Sequence, residues 1–287
     1  YNIKQSLLLM SLFKKNIDIY ITPRGSFSPV ALTRSYFKKK IYYFFFIKPF
    51  MKNINAFIAL NENESKYITN YTQKKTIIMS NGVNDNSKHY LDNIKNYELK
   101  KNSLDVINIG FMGRFDIFIK GLDDLLDAYI SFQKIDKLKK INLIFIGSHS
   151  VNNEFDSIKY FKKIKKNLID PNRFVIKDPT FKAEKWAELS KLDILIQPSR
   201  TEGMPNTVLE AMSMAIPCCI SEETNMSKFI LDANSGWVID RSKKSILDFF
   251  NKISVMDKGI FIEKGLNGMK YALENLPWDK VSKPNYL

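Results

Sequence analysis

Gln197-Pro198-Ser199-Arg200-Thr201-Glu202-Gly203-Met204-Pro205-Asn206-Thr207-Val208-Leu209-Glu210-Ala211-Met212 decides how this chain is read. The apolar run that ends at Ile196 predicts a buried strand, stopped by Pro198-Ser199. A short loop then carries Glu202 and Gly203. Pro205-Asn206 opens a helix, with Asn206 or Thr207 expected as its N-cap. This is a strand–loop–helix unit of an open parallel α/β sheet, where ligands bind beyond the carboxyl ends of the strands. The helix start offers unpaired N–H groups and a partial positive charge, which suit a phosphate. Gly203 lets backbone approach a ligand closely. Glu202 precedes the helix and Glu210 lies about one turn inside it, so both carboxylates can stand near one end. Each can accept two hydrogen bonds from a vicinal diol. Two readings compete. One is an ordinary helix start with acidic residues placed to suit the dipole. The other is a diphosphate flanked by two carboxylates that hold sugar hydroxyls, which is a nucleotide sugar.

Outward from this stretch the same alternation recurs. Strands are predicted at 105–111, 141–147, 173–177, 193–197, 217–221 and 236–239. Helices are predicted between them at 121–135, 154–168, 182–191, 206–214, 225–233 and 243–255. Such alternation argues for a doubly wound parallel domain over 105–260. Ile262 to Val281 reads as a closing helix, interrupted near Pro277, within a final segment 261–287. Residues 83–104 are polar and aperiodic and read as a linker. Before it, residues 1–82 read as a partial α/β domain. It has a helix over 1–15, a strand over 17–21 and a turn-rich loop, Thr22–Pro29. A basic, aromatic helix comes next over 36–46, then a strand over 56–60. A helix capped by Asn61 or Asn63 and a strand over 76–79 complete it.

A second stretch points to the same chemistry. Val106-Ile107-Asn108-Ile109-Gly110-Phe111-Met112-Gly113-Arg114-Phe115-Asp116 is a strand running into a loop, and Lys120-Gly121-Leu122-Asp123-Asp124-Leu125-Leu126 starts a helix. Gly113 permits a tight turn. Arg114 offers a bidentate fork and Lys120 a point charge, and both suit a diphosphate. A departing diphosphate gains negative charge in the transition state, which these cations would stabilise. Two solvated surface cations are the alternative.

Together, Glu-Gly-x-Pro-Asn-x-x-x-Glu-Ala-Met and Gly-Arg-Phe-Asp-x-x-x-Lys-Gly-Leu-Asp-x-Leu-Leu-x-Ala resemble the donor-binding motifs of retaining glycosyltransferases of family 4. The likeness extends to Ser80-Asn81-Gly82-Val83 and Trp278-Asp279. It implies an α/β GT-B fold, two Rossmann-like domains facing a cleft, the N-terminal one incomplete because residues 1–82 resemble only the later half of that domain. It implies catalytic roles for Glu202, Arg114 and Lys120, with Glu202 near the donor hexose. It implies donor binding by Gly113, Gly203, Met204, Pro205, Asn206, Thr207 and Glu210, with Glu210 on the ribose. The closing helix is expected to return to the N-terminal domain. The implied reaction moves a hexose from a nucleoside diphosphate sugar to a hydroxyl of a glycan or lipid-linked acceptor, in surface polysaccharide synthesis. No metal or cofactor is implied, and domain closure would exclude water. One departure is Arg24, which precedes Gly25 where many members carry His-Gly. Arginine cannot act as a base, but it can bind phosphate or an acidic sugar on the acceptor side. That departure, with the absent opening segment, keeps a second reading open: a non-catalytic nucleotide-sugar-binding partner or degenerate fragment. A sugar-nucleotide epimerase of the same fold matches the motifs less well. A dinucleotide dehydrogenase is disfavoured because no Gly-x-Gly-x-x-Gly follows a strand.

Composition sets outer bounds. The 287 residues are 45% hydrophobic and 26% charged, as in globular proteins, and suffice for two cores. The net charge of +14 suits nucleic acid, an anionic membrane surface or anionic substrates, although it also follows from a Lys-, Ile- and Asn-rich composition. No nucleic-acid partner is expected. The three lysines and the aromatic row within 36–46 could lie on an anionic membrane or form a helix with a buried aromatic face. Residues 41–47 are too short to span a bilayer, so the expected location is cytoplasmic, with peripheral contact at the inner membrane face. Cys218 and Cys219 are adjacent, form no zinc site and read as small strand residues. Asp123, Asp124 and Asp127 fit a helix start better than a metal site. His149, at the end of a predicted strand, is a lone histidine in a Gly-Ser-His-Ser loop.

Overall fold

The computed structural model describes residues 17–33, 37, 40, 41, 43–84, 106–135, 141–150 and 156–282. The expected helix over 1–15, most of the linker and part of 36–46 lie outside them. The described residues form two compact units. The first holds those of 17–81 with Thr201–Met204, Val281 and Ser282; the second holds those of 82–200 and 205–280.

The first unit contains β1 (Tyr20–Ile21), α1 (Pro29–Thr33), β2 (Ala56–Ala59), α2 (Glu62–Thr72) and β3 (Thr76–Ile78), with the three strands parallel in the order β1-β2-β3. β1 is shorter than the expected 17–21. Ile19 N–H donates to Asn55 Oδ1 (2.8 Å) rather than to a strand partner, and Ile17 is exposed. Asn61 caps α2, accepting from Glu64 N–H at 2.9 Å. The buried Glu64 carboxylate reaches back to Leu60 N–H (2.7 Å) and across to Gly25 N–H, so it fixes the turn that holds Arg24.

The basic, aromatic segment departs from the expected α-helix. Tyr43–Ile47 takes wide π-type turns and Lys48–Asn53 tight 3-10 turns. Pro49 has no N–H to give and crowds the residue before it, which breaks a regular helix. Tyr43 packs edge-on to Tyr71 (4.6 Å between centroids), and Met51 enters the core with Ile54, Phe57 and Ile68. Phe44 and Phe45 stay 56% and 64% exposed, so this aromatic row is not wholly buried.

The second unit alternates strands and helices. The order is β4 (Ile107–Met112), α3 (Leu122–Ile135), β5 (Ile141–Ile146), α4 (Ser157–Asn167), β6 (Phe174–Lys177), α5 (Lys182–Leu189), β7 (Ile194–Gln197), α6 (Asn206–Ser213), β8 (Cys218–Ser221), α7 (Ser227–Asp232), β9 (Gly236–Ile239), α8 (Lys243–Ser254), α9 (Lys258–Asn275) and α10 (Trp278–Val281). The six strands are parallel in the order β6-β5-β4-β7-β8-β9. The chain winds outward from β4 to β6, then returns to lay β7 against the other side of β4. The order therefore reverses between β4 and β7, the place where such sheets bind ligands.

Period-two burial explains the layers. Ile107, Ile109 and Phe111 join Leu125, Tyr129 and Phe132 of α3, Phe161 of α4 and Phe250 of α8 in one cluster. α9 packs along α6, and it begins at Lys258, earlier than the sequence suggested. Val83 N–H bonds Leu276 O at 2.7 Å, so two segments that looked familiar in sequence meet in this unit.

Tyr129 closes the bottom of this core. Its buried hydroxyl donates toward Ile141 O (2.9 Å) and Arg173 O (3.1 Å). Burial raises the phenol well above its usual range, so it stays a donor. Tyr129→Phe should lower unfolding free energy by about 1–3 kcal/mol, because carbonyls are left unpaired. Urea titration of both proteins checks this.

Candidate functional site

The loop after β4 is built before it is functional. Phe115 is buried against Phe145, Phe161 and His149, with ring centroids 5.2–5.9 Å away. It anchors the loop and leaves Arg114 exposed beside it. Buried Asp116 accepts from Ile119 N–H at 3.1 Å, and Lys120 N–H bonds Asp116 O at 2.9 Å. Gly113 N–H bonds Ile146 O, and Gly147, at φ 156°, lies so close that a Cβ there would stand 1.8 Å from Gly113 O. Gly121, at φ 63°, likewise abuts Pro198 O, and a Cβ would meet it at 2.1 Å.

The loop after β7 is stitched to this one. Arg200 N–H bonds Ile119 O at 2.8 Å. Its guanidinium donates to Phe118 O (2.7 Å), to Asp123 Oδ1 (2.6 Å) and to Asp124. Asp123 and Asp124 thus serve an ion pair that the sequence reading did not foresee. Burial raises the Asp124 carboxyl above its usual range, and Arg200 offsets only part of this. Among the described residues, no three His, Cys, Asp or Glu side chains are grouped to hold a metal ion.

α6 starts at Asn206, as the 206–214 reading expects, but its N-cap precedes both expected candidates. Pro205 occupies the N-cap, with no side-chain hydrogen bond to the first turn, and Asn206 is the first helical residue. Neither Asn206 nor Thr207 caps the helix, so no side chain at the N-cap competes for the first-turn N–H groups. Glu210 comes in the second turn, where Lys185 Nζ lies 2.6 Å from both its carboxylate oxygens. The second unit thus brings Gly113, Arg114 and Lys120 to the end of β4, and Pro205, Asn206, Thr207 and Glu210 to the segment after neighbouring β7.

The remaining candidates fall in the first unit. Arg24 is exposed, in a left-handed turn at φ 50°. Gly25 lies against Gly203, and a Cβ on Gly25 would meet Gly203 N at 3.3 Å. The Thr201–Met204 segment that carries Glu202 is held by side chains of this unit. Asn61 Nδ2 donates to Gly203 O (2.7 Å), Asn81 Nδ2 to Met204 O (2.9 Å), and Thr201 Oγ1 to Ser28 Oγ (2.9 Å). Asn81 belongs to the Ser-Asn-Gly-Val stretch and Asn61 is a helix cap; their grip on this loop carries no local signal in the sequence.

Other candidates are structural. His149 Nδ1 is 3.0 Å from Ser157 Oγ, at the start of α4. Cys218 and Cys219 are buried and unbridged, and burial raises both thiols. A cavity of about 630 Å³ lies at the ends of β8 and β9, lined by Asp124, Glu222, Glu223, Asp240 and Arg241 among others. Its carboxylates disfavour a diphosphate.

Lys177, at the end of β6, bonds Glu188 Oε2 at 2.5 Å, and Lys191 bonds Oε1 at 2.5 Å. Burial pushes the Glu188 carboxyl up, but these two ammonium groups outweigh it and hold the carboxyl below its usual value. A depressed carboxyl stabilises the fold above the ordinary carboxylate range and loses that contribution as pH falls through its folded value. The melting-temperature margin of wild type over Glu188→Gln should therefore be full above the ordinary carboxylate range, near about pH 6, and shrink as pH falls below that range, as thermal scans down the acid limb would show.

Comparison with known proteins agrees with this architecture. The family model of glycosyl transferases group 1 matches residues 107–255, more than half of the chain. The chain is 25% identical over 229 residues to an uncharacterized 41.2 kDa protein in the cps region of Klebsiella pneumoniae, covering 79% of this chain and 58% of that protein. It is 29% identical over 133 residues to the alpha-galactosylglucosyldiacylglycerol synthase of Streptococcus pneumoniae, covering 45% of this chain and 33% of that one. The chain thus spans less than two thirds of either relative. Among solved structures, sucrose-phosphate synthase from Thermosynechococcus elongatus superposes with a TM-score of 0.74 at 15% identity, over 96% of this chain and 68% of that one. Anabaena HepE, solved with UDP and glucose, gives 0.74 at 14% identity, over 98% and 73%. WaaG, a glycosyltransferase involved in lipopolysaccharide biosynthesis, gives 0.63 at 16%, over 79% and 60%. The fold is that of the GT-B glycosyltransferases, α/β with Rossmann-like units. Matched across β4 to α8 by the family's own model, the chain belongs to the group 1 glycosyl transferases.

Proposed function

We propose that this chain is the donor-binding part of a retaining, family 4 glycosyltransferase. It moves a hexose from a nucleoside diphosphate sugar to a hydroxyl of a surface glycan or glycolipid. The observation that carries this reading is topological. The Gly113–Lys120 loop and the Pro205–Glu210 segment come after the two strands that flank the reversal of sheet order. The relatives fit: one is a protein of a cps region, one is named as a galactosylglucosyldiacylglycerol synthase, and HepE was solved with UDP and glucose.

In this mechanism Arg114 and Lys120 take the charge of the departing diphosphate, and the first turn of α6 adds backbone N–H groups. Glu210 accepts from the ribose hydroxyls and Glu202 from the hexose. Gly113 and Gly203 let backbone come close, with Met204, Pro205, Asn206 and Thr207 around the sugar and phosphates. Arg24 takes an acidic group on the acceptor side. The reaction uses no metal. The direct test is donor hydrolysis across a panel of nucleotide sugars: release of nucleoside diphosphate from one or a few donors is expected, and release from none would sink the transferase reading. Binding without release in the presence of acceptor extracts would favour the non-catalytic alternative.

The site of action in this proposal is the cytoplasmic face of an anionic membrane. Among the described residues, no helix is long and apolar enough to cross one. Exposed Phe44 and Phe45 stand in the same segment as exposed Lys40, Lys48 and Lys52, which suits an interfacial contact. The chain should sediment with anionic vesicles and not with neutral ones, and replacing Phe44 and Phe45 by serine should abolish this. Equal sedimentation of that variant would refute the contact.

A further inference from the structure

Asn61 opens α2 in the first unit and uses both ends of its side chain. Its Oδ1 accepts from Glu64 N–H at 2.9 Å, which caps the helix. Its Nδ2 donates to Gly203 O at 2.7 Å, across 142 residues of sequence. A backbone N–H needs the oxygen and a carbonyl needs the amide nitrogen, so the two bonds together fix which way the group faces. Glu64, three residues on, is 2% exposed and grips a different loop. One of its oxygens accepts from Leu60 N–H and the other from Gly25 N–H.

The start of α2 therefore holds two turns of the first unit. One is the Arg24–Gly25 turn, whose residues stand at φ 50° and 81°. Arginine in that left-handed conformation is strained and persists only where its surroundings hold it, as the Gly25 bond to Glu64 does. The other is the Glu202–Gly203 turn. The two turns meet at their glycines: a Cβ on Gly203 would stand 3.4 Å from Arg24 C and 3.4 Å from Gly25 N. Each glycine follows a charged residue, so Arg24 and Glu202 ride on adjoining backbones whose register the helix start sets.

We propose that Asn61 is a positioning residue for sugar transfer, whose amide N–H holds the turn that presents Glu202 to the donor hexose. The inference rests on the transferase reading and adds to it a residue that touches neither donor nor acceptor. In the transfer, the bond from the anomeric carbon to the diphosphate oxygen breaks and one to the acceptor oxygen forms. The acceptor's hydroxyl proton leaves with the diphosphate; in hydrolysis, water takes the acceptor's place. Glu202 contributes only while it stays in register with the hexose, and a shift of about 1 Å can cost about a hundredfold in rate. A mere helix cap has a different signature. Aspartate and serine cap as well as asparagine does. Aspartate has no donor, however, and the serine hydroxyl is one atom shorter than the amide. Stability should therefore follow the acceptor end of residue 61, and turnover its donor end.

The test is nucleoside diphosphate release from a panel of UDP- and GDP-hexoses by wild type, Asn61→Asp, Asn61→Ser and Asn61→Ala, with thermal melts and calorimetry with UDP and GDP. Turnover should fall about tenfold or more in all three variants. Diphosphate affinity should stay within about threefold, because Arg114, Lys120 and the first turn of α6 are proposed to carry it. The melting temperature should stay near that of wild type for aspartate and serine, and drop by about 2–4 °C for alanine, which loses the cap. Should the aspartate variant not fold, with its charge against the Gly203 carbonyl, the uncharged serine variant gives the same reading. Full turnover in the aspartate and serine variants would overturn the role of Asn61 and leave the transferase reading standing. If wild type released nucleoside diphosphate from no hexose donor, that reading and this inference would fall together.

Discussion

Replacing Arg114 and Lys120 together by alanine should weaken nucleoside diphosphate binding by about a hundredfold or more, since each charge-assisted hydrogen bond contributes about 1.5–3 kcal/mol. Affinity for the bare nucleoside should change little, because neither cation is proposed to touch base or ribose. This contrast separates lost diphosphate recognition from general damage. Folding should be preserved: Arg114 is exposed, and Phe115, Asp116 and Gly147 set the shape of the loop. The turnover number should fall as well, because charge on the leaving diphosphate peaks in the transition state. Calorimetry with diphosphate and nucleoside, together with thermal melts, decides the matter. Normal diphosphate affinity in the double variant would refute the assignment.

The second large effect concerns stability. Gly147→Ala should cost at least about 3 kcal/mol, the range reached only by named steric or burial faults. The added Cβ would sit 1.8 Å from the Gly113 carbonyl oxygen, at a φ of 156° that side chains rarely adopt. The obstacle is backbone, so no rotamer change relieves it. Relief requires moving the end of β4, and with it the loop that presents Arg114. Diphosphate binding should therefore fail even where the variant folds. Gly259→Ala is the control. It lies exposed in the first turn of α9, where a Cβ would stand 2.7 Å from Asp257 Oδ1, the N-cap oxygen that accepts from Gly259 N–H, so the gain in helix propensity is set against a displaced cap and the net change should stay within about 1 kcal/mol. Denaturant midpoints, falling far in the first variant and moving little in the second, would establish the difference.

The second unit was legible because its signals are local. β4 to β9 are short apolar runs separated by helical stretches, and each lies within a residue or two of where it was expected. Both motif loops announce themselves by glycine, arginine and glutamate at fixed spacing. What escaped the sequence is what depends on distance. Arg200 pairs with Asp123 and Asp124 across 76 residues or more, and Asn81 reaches Met204 across 123. Lys185 has no neighbour in sequence that would mark it as Glu210's partner. The N-cap of α6 was misplaced because Asn206 and Thr207 have good capping chemistry, but Pro205 already supplies the extended backbone that the position needs. The basic, aromatic segment misled for a different reason. An unbroken apolar run suggests a helix, yet Pro49 lies just beyond it and tightens the next turns.

Arg200 commits both its main-chain nitrogen and its head group to the segment between Phe118 and Asp124. The two loops should consequently fluctuate as a single body. A molecule that quiets one damps the other, so slowed amide exchange would spread past the residues it touches, from Gly113–Lys120 into Ser199–Arg200.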